Sequence, residues 1–458
     1  MSNLAHKKSL AQWLAYIETM HCSEIDMGLD RILLVYRKLQ KNNGRKGKPG
    51  AKVITVAGTN GKGSTVAVIE RLLLNKGAQV GCYTSPHIER FNERVRVNGI
   101  EVEDQKLVDS FVRVEAARGK TSLTYFEYTT LVAFDVFAQS SLDYAVLEVG
   151  LGGRLDAVNI IDPDLAIITS VDLDHMDWLG DDREKIGFEK AGILRFGQSA
   201  IYAEANPPSS VLQQVQAQKV TLLRLGQAYG QLDAGDDGGN CTDNLADSVT
   251  ARFRVIPFVA GQKTDSESVS EVHFQLPPHV LPLQNRMAAI QAVLLLGESL
   301  VQSEVDRCFR DMVVPGRLEL IDAARHLWVD VGHNPHAARF LAGRIAALKL
   351  QHPGKRCCVL FSMLSDKDIE SVTEILKPVV DVWYLFPLSV PRACSLEQLE
   401  SLARKQTLEF KSFGSAGDAL RDLLQSEPDK TPTQFNIACG SFYTVAAVKN
   451  EWKRLNGK

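Results

Sequence analysis

The chain has 458 residues, enough for two or three domains with their own hydrophobic cores, and its 45% hydrophobic and 23% charged residues are ordinary for a globular protein. A formal net charge of −3, from 52 basic and 55 acidic residues, argues against a nucleic-acid-binding protein that relies on bulk electrostatics. The eight cysteines are scattered without a C-x-x-C pair, which favours a reducing cytoplasm over a disulfide framework. The first twenty residues lack a signal-peptide core, and no apolar run approaches the roughly 20 residues of a membrane helix, so we expect no membrane partner.

The first predicted elements lead to a glycine-rich loop. Apolar spacing predicts an amphipathic helix over residues 10–17, and a basic, glycine-containing linker follows at 42–50. Four β-favouring residues at 53–56 predict a strand that runs into the loop Gly58-Thr59-Asn60-Gly61-Lys62-Gly63-Ser64. The apolar stripe that comes next has helical spacing, and the helix should stop at Gly77.

A strand, a glycine-rich turn and a helix in this order are typical of a phosphate-binding site. Glycines let backbone N–H groups close on an anion, the helix N-terminus adds partial positive charge, and Lys62 supplies a full one. The spacing differs from the Walker A motif, because only two residues separate Gly58 from Gly61 and Gly63 stands between Lys62 and Ser64. The alternative is a tight turn that uses its glycines only for their dihedral angles.

Further predicted strands alternate with helices in the first half of the chain. The strands lie at residues 80–83, 144–149 and 165–171, and a helix begins within 123–128. Apolar strands that alternate with helices indicate an α/β fold with a doubly wound, mostly parallel sheet. Ligands bind at the carboxyl ends of the strands in such sheets, so we predict a phosphate-binding P-loop domain of this class.

A change in composition separates this domain from the rest of the chain. Residues 227–271 are rich in Asp, Gly, Asn and Ser, which indicates an insertion or a β-rich excursion with a short β-like piece at 253–259. Order returns with a predicted helix from Asn285 to Leu296. The turn-forming run Pro315-Gly316-Arg317 is the best candidate for a domain boundary in the second half.

A second α/β pattern follows this boundary. Alternating strands and helices predict a smaller, Rossmann-like domain, with strands at 327–331, 358–361, 382–386 and 435–438. We therefore predict an N-terminal domain over residues 1–314 and a C-terminal domain over residues 315–458.

Four polar residues stand at the predicted strand ends or on segments just after them: Ser85, Glu148, His175 and Lys190. Mg²⁺ prefers oxygen ligands in octahedral order and usually shares them with substrate phosphates. Glu148 is the strongest candidate, because a carboxylate that ends an apolar strand is costly unless a positive charge meets it. The alternatives are an ion pair with Arg154 for Glu148, a turn position for Ser85, a structural or helix-capping role for His175 and a solvated helix position for Lys190.

Several longer motifs surround these residues and extend over nearly the whole chain, from about Trp13 to Tyr443. They are the phosphate-binding loop, Thr84-Ser85-Pro86-His87, the stretch 147–156, Asp174-His175 with Leu179-Gly180, Glu189-Lys190-Ala191-Gly192-Ile193, Pro315-Gly316-Arg317 and Asp330-Val331-Gly332-His333-Asn334-Pro335. Together they resemble the bifunctional dihydrofolate synthase/folylpolyglutamate synthase family of the Mur ligase superfamily. The family's middle region is shorter than residues 227–271, so this insertion has no implied role.

The resemblance implies ATP-dependent formation of an amide bond. A carboxylate attached to a pterin would attack the γ-phosphate to give an acyl phosphate, and the amine of L-glutamate would then displace phosphate. It also implies two Mg²⁺ ions, one held by Ser85 and Glu148 and the other by His175, with Lys190 N-carboxylated into an anionic ligand. The implied small molecules are dihydropteroate, reduced folates, glutamate and ATP, and we expect a monomer.

The resemblance further implies which residues contact the substrates. The implied ATP-binding residues are Thr59, Asn60, Gly61, Lys62, Gly63, Ser64, Asn285, Arg317 and Asp330. The implied pterin-binding residues are Thr19, Met20, His21, Cys22, Thr124, Tyr125, Phe126, Glu127 and Leu155. The implied catalytic residues are Lys62, Lys190 and His333. The alternatives are an inter-domain ion pair for Arg317, a helix cap for Asp330 and an ordinary half-buried helix start for residues 125–127.

Two other classes of enzyme or switch share parts of this pattern. A kinase or a nucleotide-driven switch would use the phosphate-binding loop, and the test is whether ATP turnover depends on both a carboxylate and an amino acid. A cell-wall Mur ligase carries a domain for a nucleotide sugar ahead of the loop, and the 52 residues before Val53 are too few for one. That difference favours a folate substrate.

Overall fold

The computed structural model describes residues 8–21, 25–44, 47–232, 248–255, 270–425 and 434–457. The chain divides into two compact units. The first comprises most of the chain up to Asp311, and the second comprises Pro278–Leu281 and Met312–Lys458. The predicted domain boundary between residues 314 and 315 stays a prediction.

The first unit is built on an eight-stranded sheet. Its strands are β1 (Lys52–Ala57), β2 (Val80–Tyr83), β3 (Val95–Val97), β4 (Ile100–Glu101), β5 (Tyr144–Glu148), β6 (Leu165–Ile168), β7 (Ser199–Tyr202) and β8 (Thr221–Arg224). The spatial order is β4-β3-β2-β5-β1-β6-β7-β8, and β3 pairs antiparallel with β2 and β4 while the other neighbours are parallel. The predicted doubly wound, mostly parallel sheet is confirmed. The central strands are buried along their whole length, which is why they are continuous apolar runs in the sequence.

The helices of the first unit pack around this sheet. They are α1 (Leu10–Glu18), α2 (Asp30–Asn42), α3 (Lys62–Asn75), α4 (Asp104–Arg118), α5 (Tyr125–Ala138), α6 (Met176–Leu179), α7 (Arg183–Ala191), α8 (Ser209–Ala217), α9 (Leu283–Leu295) and α10 (Gln302–Arg310). Helix α3, which follows the phosphate-binding loop, ends at Asn75. Gly77 then adopts a left-handed φ of 82° and donates its N–H to the carbonyl of Leu74, as a helix C-terminus requires.

A small antiparallel sheet occupies part of the region where the composition changes. Its strands are β9 (Gly230–Gln231), β10 (Val249–Val255) and β11 (Ser270–Leu276), in the order β11-β10-β9. It confirms the β-rich excursion, although the β-like piece predicted at 253–259 lies outside the described residues after Val255. The buried side chain of Gln291 on α9 exchanges two hydrogen bonds with the backbone of Arg254 and so fastens β10 to the helix.

The second unit contains a six-stranded sheet flanked by helices. Its strands are β12 (Glu319–Asp322), β13 (Leu327–Asp330), β14 (Arg356–Phe361), β15 (Val382–Leu385), β16 (Phe410–Ser412) and β17 (Gln434–Cys439), and their order is β12-β13-β17-β14-β15-β16. Its helices are α11 (Pro335–Gln351), α12 (Ile369–Leu376), α13 (Leu396–Lys405), α14 (Ala416–Gln425) and α15 (Phe442–Leu455). Only β12 runs antiparallel to its neighbour, so the predicted smaller α/β unit is confirmed. Among the described residues, no helix combines the length and the apolar character needed to span a membrane.

Candidate active site

The phosphate-binding loop has a backbone that only glycine accommodates. Gly58 and Gly61 have φ values of 154° and 86°, in the region that side chains rarely adopt. A Cβ on Gly58 would collide with Oγ1 of Thr169, and one on Gly61 would collide with the side-chain amide of Asn285. The loop therefore lies directly against the segment that follows β6 and against α9. The structure brings Asn285, one of the implied nucleotide-binding residues, to this loop.

Hydrogen bonds hold the loop in one shape. The N–H of Thr59 donates to the carbonyl of Ser170 at 2.9 Å, and the N–H of Asn60 donates to Oγ of Ser170 at 2.9 Å. Nζ of Lys62 donates to the carbonyl of Gly58 at 2.9 Å, which places its charge over the loop at the first residue of α3. The cation and the helix N-terminus thus act at the same end of the loop, as an anion-binding site requires.

Ser85 and Glu148 meet at the carboxyl edge of the same sheet. Strand β5 pairs in parallel with β1 and β2, so that Glu148 lies opposite Val56, two residues before the loop begins. The carboxylate of Glu148 is only 4% exposed and accepts the backbone N–H of Ser85 at 3.1 Å. Arg154 forms its ion pair with Glu189 at 2.8 Å, so it is not the partner of Glu148. The buried carboxylate and the serine therefore lie beside the phosphate-binding loop.

Lys190 is a buried lysine at this edge of the sheet. It lies in the last turn of α7 at 3% exposure, beside the backbone of Gly153, whose missing Cβ leaves room for the helix. Burial, together with the nearby charge of Lys62, lowers the pKa of Lys190 to about 7, although Asp174 and Asp156 act in the opposite direction. A large share of the Lys190 amine is therefore neutral near pH 7. The solvated helix position that we considered for Lys190 is wrong.

Asp156 was not among the predicted site residues, although it ends one of the motifs. Its carboxylate accepts the N–H groups of Leu151 and Val158, each at 2.9 Å, and so shapes the loop between β5 and the following turn. Burial raises the pKa of Asp156 to about 6, and the charge of Lys62 opposes this shift. A carboxylate inside a glycine-rich segment after a buried strand was the sequence signal that could have indicated it.

His175 occupies a strained backbone position on the segment after β6. Its φ of 51° is left-handed, and its side chain is 38% exposed, with Nε2 lying 3.9 Å from the carboxylate of Asp174. His175 is the N-cap residue of α6, so the helix-capping alternative holds for its position, but its side chain forms no capping hydrogen bond. Because Asp174 acts electrostatically on Lys190, this segment approaches the same group of charges.

The donors at this edge suit a hard divalent cation in part. Among the described residues no three His, Cys, Asp or Glu side chains are grouped closely enough to hold a metal ion by themselves. A hydroxyl, one buried carboxylate and an imidazole are present, and such incomplete sets are normal for Mg²⁺, which takes its remaining ligands from water and phosphate. The arrangement therefore fits an ion that arrives with a nucleotide.

The residues proposed for pterin binding cluster at the start of α5. Thr124 and Glu127 form a capping box, in which each side chain accepts a backbone N–H of the other. The ring of Phe126 stacks on Tyr83 with centroids 6.0 Å apart, and a Cβ on Gly150 would collide with that ring. The guanidinium of Arg94 lies 5.5 Å from the ring centre of Tyr125. An aromatic surface therefore adjoins the loop that follows β5.

Other implied pterin-binding residues lie after α1 and after β5. Oγ1 of Thr19 donates to the carbonyl of Tyr16, Met20 packs against the core, and Nε2 of His21 lies 3.4 Å from the carboxylate of Asp26. Leu155 is half-buried, and Cys22 lies outside the described residues.

The second unit carries the remaining predicted residues. The carboxylate of Asp330 accepts the N–H groups of Leu318 and Gly332, and burial raises its pKa. Nδ1 of His333 lies 2.9 Å from the carbonyl of Val331, and the guanidinium of Arg317 lies 5.5 Å from the ring centre of Phe442. The helix cap that we considered for Asp330 is wrong, because the side chain that caps α11 belongs to Asn334.

Comparison with known proteins defines the class first. Residues 56–292 match the family model of the Mur ligase middle domain, and residues 316–431 match that of the Mur ligase glutamate ligase domain. The first match alone covers more than half of the chain. Together with the two α/β units, these domains define a ligase of the Mur type.

Full-length relatives narrow the class. The chain is 39% identical over 452 residues to the dihydrofolate synthase/folylpolyglutamate synthase of Escherichia coli, a match that covers 98% of this chain and 97% of that one. It superposes on E. coli FolC in complex with DHPP and ADP at a TM-score of 0.85, with 38% identity over 98% of this chain and 99% of that one. The Yersinia pestis enzyme complexed with AMPPNP and Mn gives a TM-score of 0.81, with 38% identity and 98% coverage of both chains. This protein therefore belongs to the dihydrofolate synthase/folylpolyglutamate synthase family.

Proposed function

We propose that this protein adds L-glutamate to dihydropteroate, which forms dihydrofolate, and to the glutamate tail of reduced folates. ATP drives both reactions through an acyl phosphate. The observation that carries the proposal is the full-length likeness to the E. coli relative, at 39% identity over 98% of this chain. The phosphate-binding loop, with Glu148 at the neighbouring strand end, supports it from the geometry.

The reaction proceeds in two displacements. An oxygen of the substrate carboxylate attacks the γ-phosphorus of ATP, and ADP leaves; the glutamate amine then attacks the acyl carbon, and phosphate leaves with the carboxylate oxygen. Lys62, the loop N–H groups and the N-terminus of α3 stabilise the charge on the transferred phosphoryl group. Asn285 lies against Gly61 and is placed to contact the nucleotide.

The metal ligands are Ser85 and Glu148 for one Mg²⁺ ion and His175 for a second. Bound divalent ions supply charge neutralisation for the transferred phosphoryl group. Glu148 supports this assignment because its carboxylate is buried at the end of β5, where it accepts the backbone N–H of Ser85. Ser85 supports it because its backbone is fixed against that carboxylate.

Lys190 is the site of N-carboxylation. Its neutral amine attacks the carbon of CO₂ and loses a proton, so that a carbamate anion replaces a buried cation near Lys62. Burial at 3% exposure and a pKa of about 7 both favour the neutral amine that this addition needs. The product carries the oxygen donors that Mg²⁺ prefers.

The remaining residue assignments rest on the family pattern. Arg317, Asp330 and the loop residues 59–64 bind ATP, and His333 is catalytic. The pterin ring stacks at Tyr125 and Phe126, next to the other implied residues at 19–22, 124, 127 and 155. A cytoplasmic monomer is the state in which we expect the enzyme to act.

The test is an ADP-release assay with both sets of substrates. We expect release with dihydropteroate plus glutamate and with tetrahydrofolate plus glutamate, and almost none when the pterin or the amino acid is omitted. ADP release that ignores glutamate, or phosphorylation of another small molecule, would contradict the proposal.

A further inference from the structure

Arg94 is a buried cation for which the described residues provide no acidic partner. Its side chain lies just before β3 at 8% exposure, and no carboxylate in the described part of the chain forms an ion pair with it. Arg96, two residues further on, shows the usual solution, because Glu70 pairs with its guanidinium at 2.7 Å. Because a guanidinium without a counterion is costly in a largely buried position, an anion from outside the chain would stabilise Arg94 here.

The surroundings of Arg94 hold the guanidinium in place without neutralising it. Its Nε donates to Nδ1 of His87 at 2.8 Å, and its Cζ lies 5.5 Å from the ring centre of Tyr125 and 5.9 Å from that of Phe91. These contacts use one N–H and the faces of two rings. The other donors of the guanidinium fork remain suited to a carboxylate, which the fork binds with two parallel hydrogen bonds.

Arg94 also lies between the two halves of the candidate site. Its backbone carbonyl accepts the N–H of Thr84 at 2.9 Å, so it is directly paired with the residue before Ser85. Its side chain contacts Tyr125, where the pterin ring is expected to stack. A substrate carboxylate that reaches from Tyr125 towards Ser85 would therefore come close to Arg94.

We propose that Arg94 binds the carboxylate of the pterin substrate and selects for it. In dihydropteroate this carboxylate is the group that becomes the acyl phosphate. The inference rests on the proposed function and adds a specificity residue to it. Arg94 positions the nucleophile and shields its charge as the ring end stacks on the aromatic surface.

The test compares two ligands that differ only in charge. Pteroic acid and its carboxamide are titrated into the full-length protein and into the Arg94→Gln and Arg94→Lys variants. We expect Arg94→Gln to weaken the binding of pteroic acid by about 10- to 100-fold, as the loss of a charge-assisted hydrogen-bonded pair predicts. The binding of the carboxamide should not change. Arg94→Lys keeps the charge without the fork, so it should restore part of the loss. The KM for dihydropteroate should rise in parallel, and the KM for ATP should not.

A matched control removes the same charge nearby. Arg90, four residues earlier, has a side chain that is 64% exposed, so Arg90→Gln should leave the affinity for both ligands unchanged. Unchanged ATP binding by Arg94→Gln shows that the variant is folded. Equally weakened binding of both ligands would mean that Arg94 only supports Tyr125. Unchanged binding of both would mean that the carboxylate binds elsewhere. Either result overturns the inference. If the wild type binds neither ligand and releases no ADP, the proposed function fails as well, whereas a failure confined to Arg94 leaves it standing.

Discussion

Two buried ionisable groups, Lys190 and Asp156, set the electrostatics of the candidate site. Burial shifts the pKa of each towards its neutral form, to about 7 for Lys190 and about 6 for Asp156. Both belong to motifs after strand ends, but sequence alone gives no burial, and a helical lysine next to Glu189 is the pattern of a solvated helix. That is why the lowered pKa of Lys190 can be recognised only from the fold.

The carbamate that we propose on Lys190 has a direct chemical test. Lys190→Ala should lose most of the ADP-release activity, because the site loses an anionic oxygen ligand. Small added carboxylates such as acetate should restore part of the activity, since they can occupy the cavity left by the side chain. An identical titration with chloride serves as the ionic-strength control. Absence of any carboxylate-specific rescue would count against the carbamate.

Asp156 should leave a signature in the pH dependence of stability. A carboxyl whose pKa rises from 3.8 to about 6 on folding stabilises the protein fully only below pH 3.8, and this contribution is lost as the pH rises through 6. Relative to Asp156→Asn, the wild type should therefore lose about 2 kcal/mol of unfolding free energy between pH 4 and pH 7. Urea unfolding without nucleotide measures the difference, and a constant offset across this range would contradict the assignment.

The residues of the candidate site differ in how far the sequence alone could indicate them. Glu148 was predictable because a carboxylate at the end of an apolar strand stands out. Glu127 was predictable as a site residue only through the family, and its capping box with Thr124 is the ordinary helix start that we had kept open. Arg94 gave no signal, because an arginine two residues from another in a strand-like run resembles a solvated edge.

At the scale of elements, the phosphate-binding loop depends on how closely it approaches α9. Gly61 and Gly77 both have a left-handed φ, but a Cβ on Gly61 would collide with Asn285, whereas one on Gly77 would meet nothing within 4 Å. The two glycines, one at each end of α3, therefore share the left-handed backbone, and only Gly61 has a close neighbour.

This pair predicts different outcomes for the same substitution. Gly61→Ala and Gly77→Ala should each lose about 1 kcal/mol of unfolding free energy from left-handed strain. Only Gly61→Ala should also raise the KM for ATP, because the added methyl displaces Asn285 from the loop. Steady-state kinetics and urea unfolding of both variants check this, and an equal effect on the KM for ATP would show that the close approach is unimportant.

The small antiparallel sheet of β9, β10 and β11 offers a second matched pair of variants. Gln291 is fully buried and exchanges two hydrogen bonds with the backbone of Arg254, and Gln302 does the same with Gln275 at the surface. Water can replace the lost partner only at the exposed site. Gln291→Ala should therefore cost about 2 kcal/mol of unfolding free energy and Gln302→Ala clearly less, with kcat unchanged in both. Similar losses in the two variants would mean that burial does not decide the cost.

At the scale of the whole molecule, the sequence indicated the layers but not every strand. Apolar runs at β1, β2, β5 and β6 predicted the parallel core, because strands buried on both faces must be apolar along their length. The β3–β4 pair, the strands β7 and β8 and helix α2 were not predicted. The strands are short and depend on long-range pairing that local patterns do not encode. Helix α2 buries Ile32, Val35 and Leu39 at helical spacing, so that stripe was a local signal that could have indicated it.

The central claim is that this protein phosphorylates a substrate carboxylate and then replaces the phosphate with glutamate. The most direct measurement uses dihydropteroate whose carboxylate carries oxygen-18, with ATP and glutamate, and mass analysis of the released phosphate. The acyl-phosphate route predicts one labelled oxygen in each phosphate, because the bridging oxygen leaves with phosphorus. Unlabelled phosphate released together with ADP would show that water, and not the carboxylate, attacks the nucleotide, and would contradict the account.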